Sequence, residues 1–148
     1  MTLPAAGSMV HPEIDTDALM DKFRDHVSKD VKFYPPTYFQ HWEGREEYLL
    51  LMQSVSEVFG TSFKYDRQWV SPDGRDWCLE FSASIEGDDK TVVDGVDLVS
   101  LDEDGKIVEF KVLARPPNAV SKLKDAMMKK VPPRLAKLKA KQMFGFSK

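Results

Sequence analysis

The chain has 148 residues, 42% of them hydrophobic and 30% charged, with a formal net charge of −3. That is length for one domain with its own core and no need of a metal or disulfide to fold, and no apolar run approaches the ~20 residues of a membrane-spanning helix. Cys78 is the only cysteine, which excludes an intrachain disulfide framework and fits a reducing cytoplasm.

The amino terminus has neither a basic nor an apolar region, so no signal peptide is expected. Residues 1–12 read as a flexible arm. A helix is predicted over 13–28: Asp15 or Asp17 can cap it, and Leu19, Phe23 and Val27 recur on one face. Asp30 to Tyr34 forms a short strand ended by Pro35 and Pro36, which cannot donate to a ladder. An aromatic loop with Tyr38, Phe39 and Trp42 follows. A second helix over 45–59 puts Tyr48, Met52, Val55 and Phe59 on one face, with Glu46 and Glu47 favouring its positive end and Gly60 stopping it.

From Ser62 the apolar period changes from about 3.6 to 2. Phe63, Tyr65 and Trp69 alternate with polar residues in a first strand over 62–70. After the turn Ser71-Pro-Asp-Gly74, a second strand places Trp77, Leu79, Phe81, Ala83 and Ile85 on one face. Gly87-Asp-Asp turns the chain into a third strand over 91–101, and Asp102-Glu-Asp-Gly105 turns it into a fourth over 106–115. Arg115-Pro-Pro117 stops the sheet. Asn118 can cap a helix over 119–130, Pro132-Pro133 are expected to break it, and a short basic helix is expected over 134–142. Residues 121–148 hold eight Lys and one Arg against Asp125 alone. A solvated basic face is the simpler reading of this tail; engagement of nucleic acid or acidic lipid is the weaker one.

Helices followed by a run of strands give an α+β fold: a curved antiparallel sheet of four long strands plus a short strand, N-terminal helices on its concave face, and an extra C-terminal helix. Such a sheet curls into a half-open cone, whose hollow must be filled by side chains or by a ligand. Asp97 stands out in this pattern. It lies in the apolar run Thr91-Val-Val-Asp-Gly-Val-Asp-Leu-Val-Ser-Leu101, where a carboxylate must be hydrogen-bonded or look into a polar cavity, or else be neutralised.

Three segments carry a resemblance: Asp30-Val-Lys-Phe-Tyr-Pro35, Trp42-Glu-Gly-Arg-Glu-Glu47, and Gly95-Val-Asp-Leu-Val-Ser-Leu-Asp-Glu-Asp-Gly-Lys-Ile107. In order and spacing they resemble the nuclear-transport-factor-2-like superfamily, the cone fold of ketosteroid isomerases, limonene epoxide hydrolases, polyketide cyclases and several non-catalytic modules. The resemblance spans roughly 13–128 and implies a cone domain over 13–130, a basic helical tail over 131–148, and a homodimer paired through the sheet. Asp97 matches the aspartate that donates to the substrate oxyanion in ketosteroid isomerases. Where those enzymes place a general-base aspartate before a proline, this chain has Tyr34, a poor base.

The functional expectation is therefore binding of an apolar, oxygen-bearing small molecule, with acid/base isomerase or cyclase chemistry as the catalytic version. The alternative is a non-catalytic dimeric module. Asp97 and Tyr34 are the candidate catalytic residues. Tyr38, Trp42, Glu80, Phe110, Val112 and Ala114 are candidate ligand contacts: the first two as a lid, Glu80 as a carboxylate that could sit beside Asp97, the last three as an apolar wall. Arg45 and Arg115 could clamp a carboxylate, and His41 could titrate near neutrality. No cofactor is expected. His11, His26 and His41 are evenly spaced with no cysteine pair nearby, which gives no zinc pattern. Glycine-rich phosphate loops and a nucleophile elbow are absent from the sequence, and Asp102-Glu-Asp-Gly105 reads as a hairpin turn rather than a calcium loop.

Overall fold

A computed structural model describes residues 16–85 and 87–145. The expected arm over 1–12, the cap residue Asp15 and the last residues of the tail lie outside them. Helix α1 (Thr16–Phe23) runs into a 3₁₀ turn (Arg24–His26) and strand β1 (Val27–Tyr34). A two-residue strand β2 (Trp42–Glu43) precedes helix α2 (Arg45–Phe59) and a second 3₁₀ turn (Gly60–Ser62). Strands β3 (Lys64–Val70), β4 (Asp76–Ile85), β5 (Asp88–Leu101) and β6 (Ile107–Arg115) follow, then helix α3 (Pro117–Phe144).

The six strands form one sheet in the order β2-β1-β6-β5-β4-β3. The four long strands make the expected antiparallel meander. β1, which lies between α1 and α2 in the chain, joins it parallel to β6. β2 and β3 remain as edges, so the sheet curves without closing.

Alternation along β5 sets the two faces. Val93, Asp97, Val99 and Leu101 are buried, while Asp94, Val96, Leu98 and Ser100 between them are only half-buried. Register carries this inner face across the sheet: Asp97 lies opposite Leu79 on β4 and Val112 on β6, and Val99 lies opposite Trp77 and Phe110. Gly95 sits on the same face between Phe81 and Ala114. A Cβ there would lie 2.0 Å from the Leu113 carbonyl oxygen and 2.8 Å from the Ala114 Cα, so only glycine admits this approach of β6. One apolar cluster joins α1, β1 and the start of α2 to the sheet through Met20, Val31, Tyr48 and Phe110. A second joins the end of α2 to β3, β4 and α3 through Phe59, Phe63, Phe81 and Leu123.

Four local expectations are corrected. The first helix ends at Phe23, and Val27, expected on its apolar face, opens β1 instead, paired with Ile107 and 1% exposed. A β-branched residue starting an apolar-alternating stretch is better placed there. Trp69 does not share a face with Phe63 and Tyr65. The register of β3 shifts between Tyr65 and Gln68, which puts Trp69 opposite Cys78 on the outer face, half exposed. Such an irregularity reverses the facing of every residue beyond it.

Pro132 and Pro133 do not break the last helix, which runs unbroken from Pro117 through the expected boundary at 130. Each proline removes a backbone donor. Contacts on both sides hold the helix nonetheless: Lys130 and Arg134 reach Glu57 on α2, Arg134 with two bonds of 2.7 and 2.9 Å, while Val131 packs against the core between them. The helix starts with Pro117 at its first turn, where the missing N–H costs nothing, rather than with an Asn118 cap.

Candidate active or ligand-binding site

The hollow between the inner face of the sheet and helices α2 and α3 contains a cavity of about 130 Å³. That is far above the ~10–15 Å³ that holds one water on the same measure. Phe33, Phe110, Val112 and Ala114 form its sheet side, Met52, Val55, Ser56 and Phe59 its α2 side, and Leu123, Met127 and Val131 its α3 side. The loop after β1 brings Pro35 to Tyr38 to the mouth, and Trp42 stands beside it. There the Tyr38 hydroxyl lies 3.6 Å from the Met128 sulfur, and the Lys124 ammonium sits 4.9 Å from the Tyr38 ring centroid.

Asp97 is the carboxylate in this apolar wall, 5% exposed. The Tyr65 hydroxyl donates to its Oδ2 at 2.6 Å. Burial pushes the Asp97 carboxyl up from its ordinary 3.8 to about 7, and the Tyr65 bond only partly opposes this. Burial and the neighbouring Asp97 charge hold the hydroxyls of Tyr65 and Tyr48 protonated. Oδ2 is the oxygen that Tyr65 holds. Below about pH 7 this is a neutral acid paired to a neutral donor.

The structure brings Asp97, Tyr38, Trp42, Phe110, Val112 and Ala114 to one cavity. It separates Tyr34 and Glu80 from them. Tyr34 follows the inward-facing Phe33 and so points to the outer face, where its ring stacks on His41 at 5.0 Å and meets the Lys111 ammonium at 5.1 Å. Glu80 lies between the inward Leu79 and Phe81, so it too points outward, where Arg67 donates to both its oxygens at 2.7 and 2.8 Å and holds its carboxyl below the usual range. Neither faces Asp97. Arg115 pairs with Asp94 at 3.5 Å, and Arg45 turns to the Val27 carbonyl, so neither forms the anticipated clamp. His41 contacts Glu43 at 3.6 Å outside the cavity. The Asp102 side chain accepts from the Asp104 and Lys106 amides, both at 2.9 Å, as a hairpin turn requires. Among the described residues no group of three or more His, Cys, Asp or Glu is placed to hold a metal ion.

Four polar residues of the cavity were not singled out by the sequence: Thr37, Ser56, Tyr65 and Lys124. Tyr65 shares the parity of Phe63, which marks it as inward, but its meeting with Asp97 requires two strand registers that no local pattern gives.

A curved, unclosed sheet packed against helices round an apolar hollow is the architecture of the nuclear-transport-factor-2-like, or cystatin-like, class. A family model for a SnoaL-like domain matches residues 15–110, and the chain belongs to that family. It is similar to the crystal structure of an uncharacterised protein with a cystatin-like fold from Silicibacter pomeroyi DSS-3, at 33% identity over 84% of this chain and 86% of that one, with a TM-score of 0.72. It is also similar to a steroid delta-isomerase from Pseudomonas aeruginosa, at 28% identity over 92% and 98% of the two chains, with a TM-score of 0.70. A putative SnoaL-like polyketide cyclase from Jannaschia sp. CCS1 shares the fold at 16% identity over 78% and 79% of the two chains, with a TM-score of 0.54. No curated protein sequence matches the chain. No helix among the described residues is long and apolar enough to cross a membrane.

Proposed function

We propose that this protein binds an apolar small molecule bearing a carbonyl or similar oxygen in the cavity, with the neutral Asp97 carboxyl donating a hydrogen bond to that oxygen. The observation that carries the reading is a protonatable carboxyl buried in a mainly apolar cavity wall, with one of its oxygens held by Tyr65. The likeness to a steroid delta-isomerase supports a ligand of this kind. Catalysis would need a base facing the guest. The titratable side chains lining the cavity are Asp97, Tyr65, Tyr38 and Lys124, and the position expected to supply the base, Tyr34, faces away. Binding is therefore the primary reading, and isomerase or cyclase chemistry would have to use Asp97 itself as the proton carrier.

Calorimetric titration with tetralone, a bicyclic aromatic ketone, tests this. Affinity should fall as pH rises through about 7, because the ionised carboxylate cannot donate. Asp97→Ala should weaken binding about tenfold and remove the pH dependence. Equal affinity of the wild-type and Ala proteins would defeat the reading.

A homodimer paired through the outer sheet face accompanies this proposal. Trp69, Val92 and Leu113 are each about half exposed on the strands of that face, with Cys78, Leu98 and Val96 between them. Sedimentation velocity should give a dimer for the wild type and a monomer for Leu113→Lys; a wild-type monomer at tens of micromolar would sink the dimer. The lone cysteine supports a cytoplasmic setting.

A further inference from the structure

Helix α2 carries two buried serines whose side chains behave differently. Ser54 bonds back to the Leu50 carbonyl at 2.8 Å and accepts from Arg134 at 3.0 Å, so its hydroxyl is doubly satisfied. Ser56 is 3% exposed and lines the cavity, and its hydroxyl has no hydrogen-bond partner. The Met52 carbonyl, one turn earlier, is the partner a helical serine ordinarily takes, and Ser56 does not take it. A buried hydroxyl without a partner is disfavoured unless a guest completes it, and the cavity is the space Ser56 shares with Asp97.

We infer that Ser56 is a second polar anchor of this site, and that the ligand is a flat apolar skeleton with two separated oxygen functions, one met by Asp97 on the sheet and the other by the Ser56 hydroxyl on α2. The inference rests on the ligand-binding reading above and narrows it to a substrate class. The two anchors come from opposite layers of the cone: Asp97 from the second half of β5, Ser56 from the last turn of the helix packed over it. Between them lie aromatic and aliphatic side chains, among them Phe59, Phe110, Val112 and Met127, which suit a ring system and offer nothing to a polar middle. A monofunctional guest would leave one anchor unmet. A bifunctional one would be fixed in orientation as well as bound, because a site built to hydrogen-bond a group discriminates strongly against the analogue lacking it.

The test compares tetralone with a hydroxytetralone whose hydroxyl lies across the ring system from the ketone, on the wild type, Ser56→Ala and Asp97→Ala. The hydroxy compound should bind the wild type about tenfold more tightly than tetralone. Ser56→Ala should abolish that preference, so that the two ligands bind it equally, and Asp97→Ala should weaken both ligands in parallel. The thermal midpoint of ligand-free Ser56→Ala should equal or exceed that of the wild type, since no partner is lost. A lowered midpoint would mean that the hydroxyl already has an internal partner, and the assignment falls. Tight tetralone binding with no gain from the added hydroxyl also overturns it, while leaving the Asp97 reading intact. Failure of the wild type to bind either compound overturns both.

Discussion

Two carboxylates on neighbouring strands, Asp97 on β5 and Glu80 on β4, meet opposite fates because they point to opposite faces of one sheet. Each is held by a side chain of β3: Asp97 by the Tyr65 hydroxyl, Glu80 by the Arg67 guanidinium. The partner alone would lower both pKa values. Burial decides otherwise for Asp97, where removal from water outweighs one neutral hydrogen bond and pushes the carboxyl up to about 7. On the outer face the Arg67 charge wins, and Glu80 stays ionised. A reactive group arises here from the side of the sheet on which a residue falls more than from its type. A one-residue slip of β5 would turn Asp97 outward, and one of β4 would turn Glu80 inward.

The largest effect should come from neutralising the buried acid. Folding raises the Asp97 value, so the folded state binds the extra proton and the stability it contributes is fully present below about 3.8. That stability is lost as pH rises to about 7, with no further change above. Asp97→Asn removes the penalty. Its stability advantage over the wild type, from denaturant midpoints at several pH values, should grow by about 4 kcal/mol between pH 4 and pH 8. A difference that does not vary with pH would show that Asp97 is not desolvated.

Tyr65→Phe should come next. It removes the one bond that favours the charged carboxylate, so a carbon-13 titration of Asp97 should move further up from about 7. Stability at pH 8 should fall by about 1.5 kcal/mol, with a smaller loss at pH 5 where the carboxyl is neutral. An unmoved or lowered midpoint would mean that Tyr65 does not bond to the carboxylate.

The smallest effect should be at the outer pair. Glu80 has a lowered value, so its contribution is present above its unfolded titration and is lost as pH falls through the folded one. Exposed to solvent and screened by salt, Glu80→Gln should leave the melting midpoint almost unchanged at physiological ionic strength and leave tetralone affinity intact. A loss of binding would place Glu80 in the site after all and undo the contrast between the faces.

Much of this architecture follows from short-range pattern. The 3.6-residue recurrence of Tyr48, Met52, Val55 and Phe59 and the closing glycine determined α2, and the two-residue alternation of Trp77 to Ile85 and of Phe110, Val112 and Ala114 determined β4 and β6 as strands and which of their residues share a face, though not which face of β4 looks inward. Asp97 was legible as an exception because a carboxylate amid valines has few physical outcomes. What depended on pairing between distant segments was not legible. The bulge that turns Trp69 outward, the meeting of Tyr65 with Asp97, the outward facing of Tyr34 and Glu80, and the orphaned hydroxyl of Ser56 all depend on register or on which helix face meets the sheet. Helix α3 makes the point most plainly. Local propensity ends it at Pro132, yet Val131 packing on the core and Arg134 gripping Glu57 carry it to Phe144. Sequence determined the elements because their periodicities are local. Tertiary structure decided the site because desolvation, which sets the chemistry of Asp97, belongs to no residue until the layers close over it.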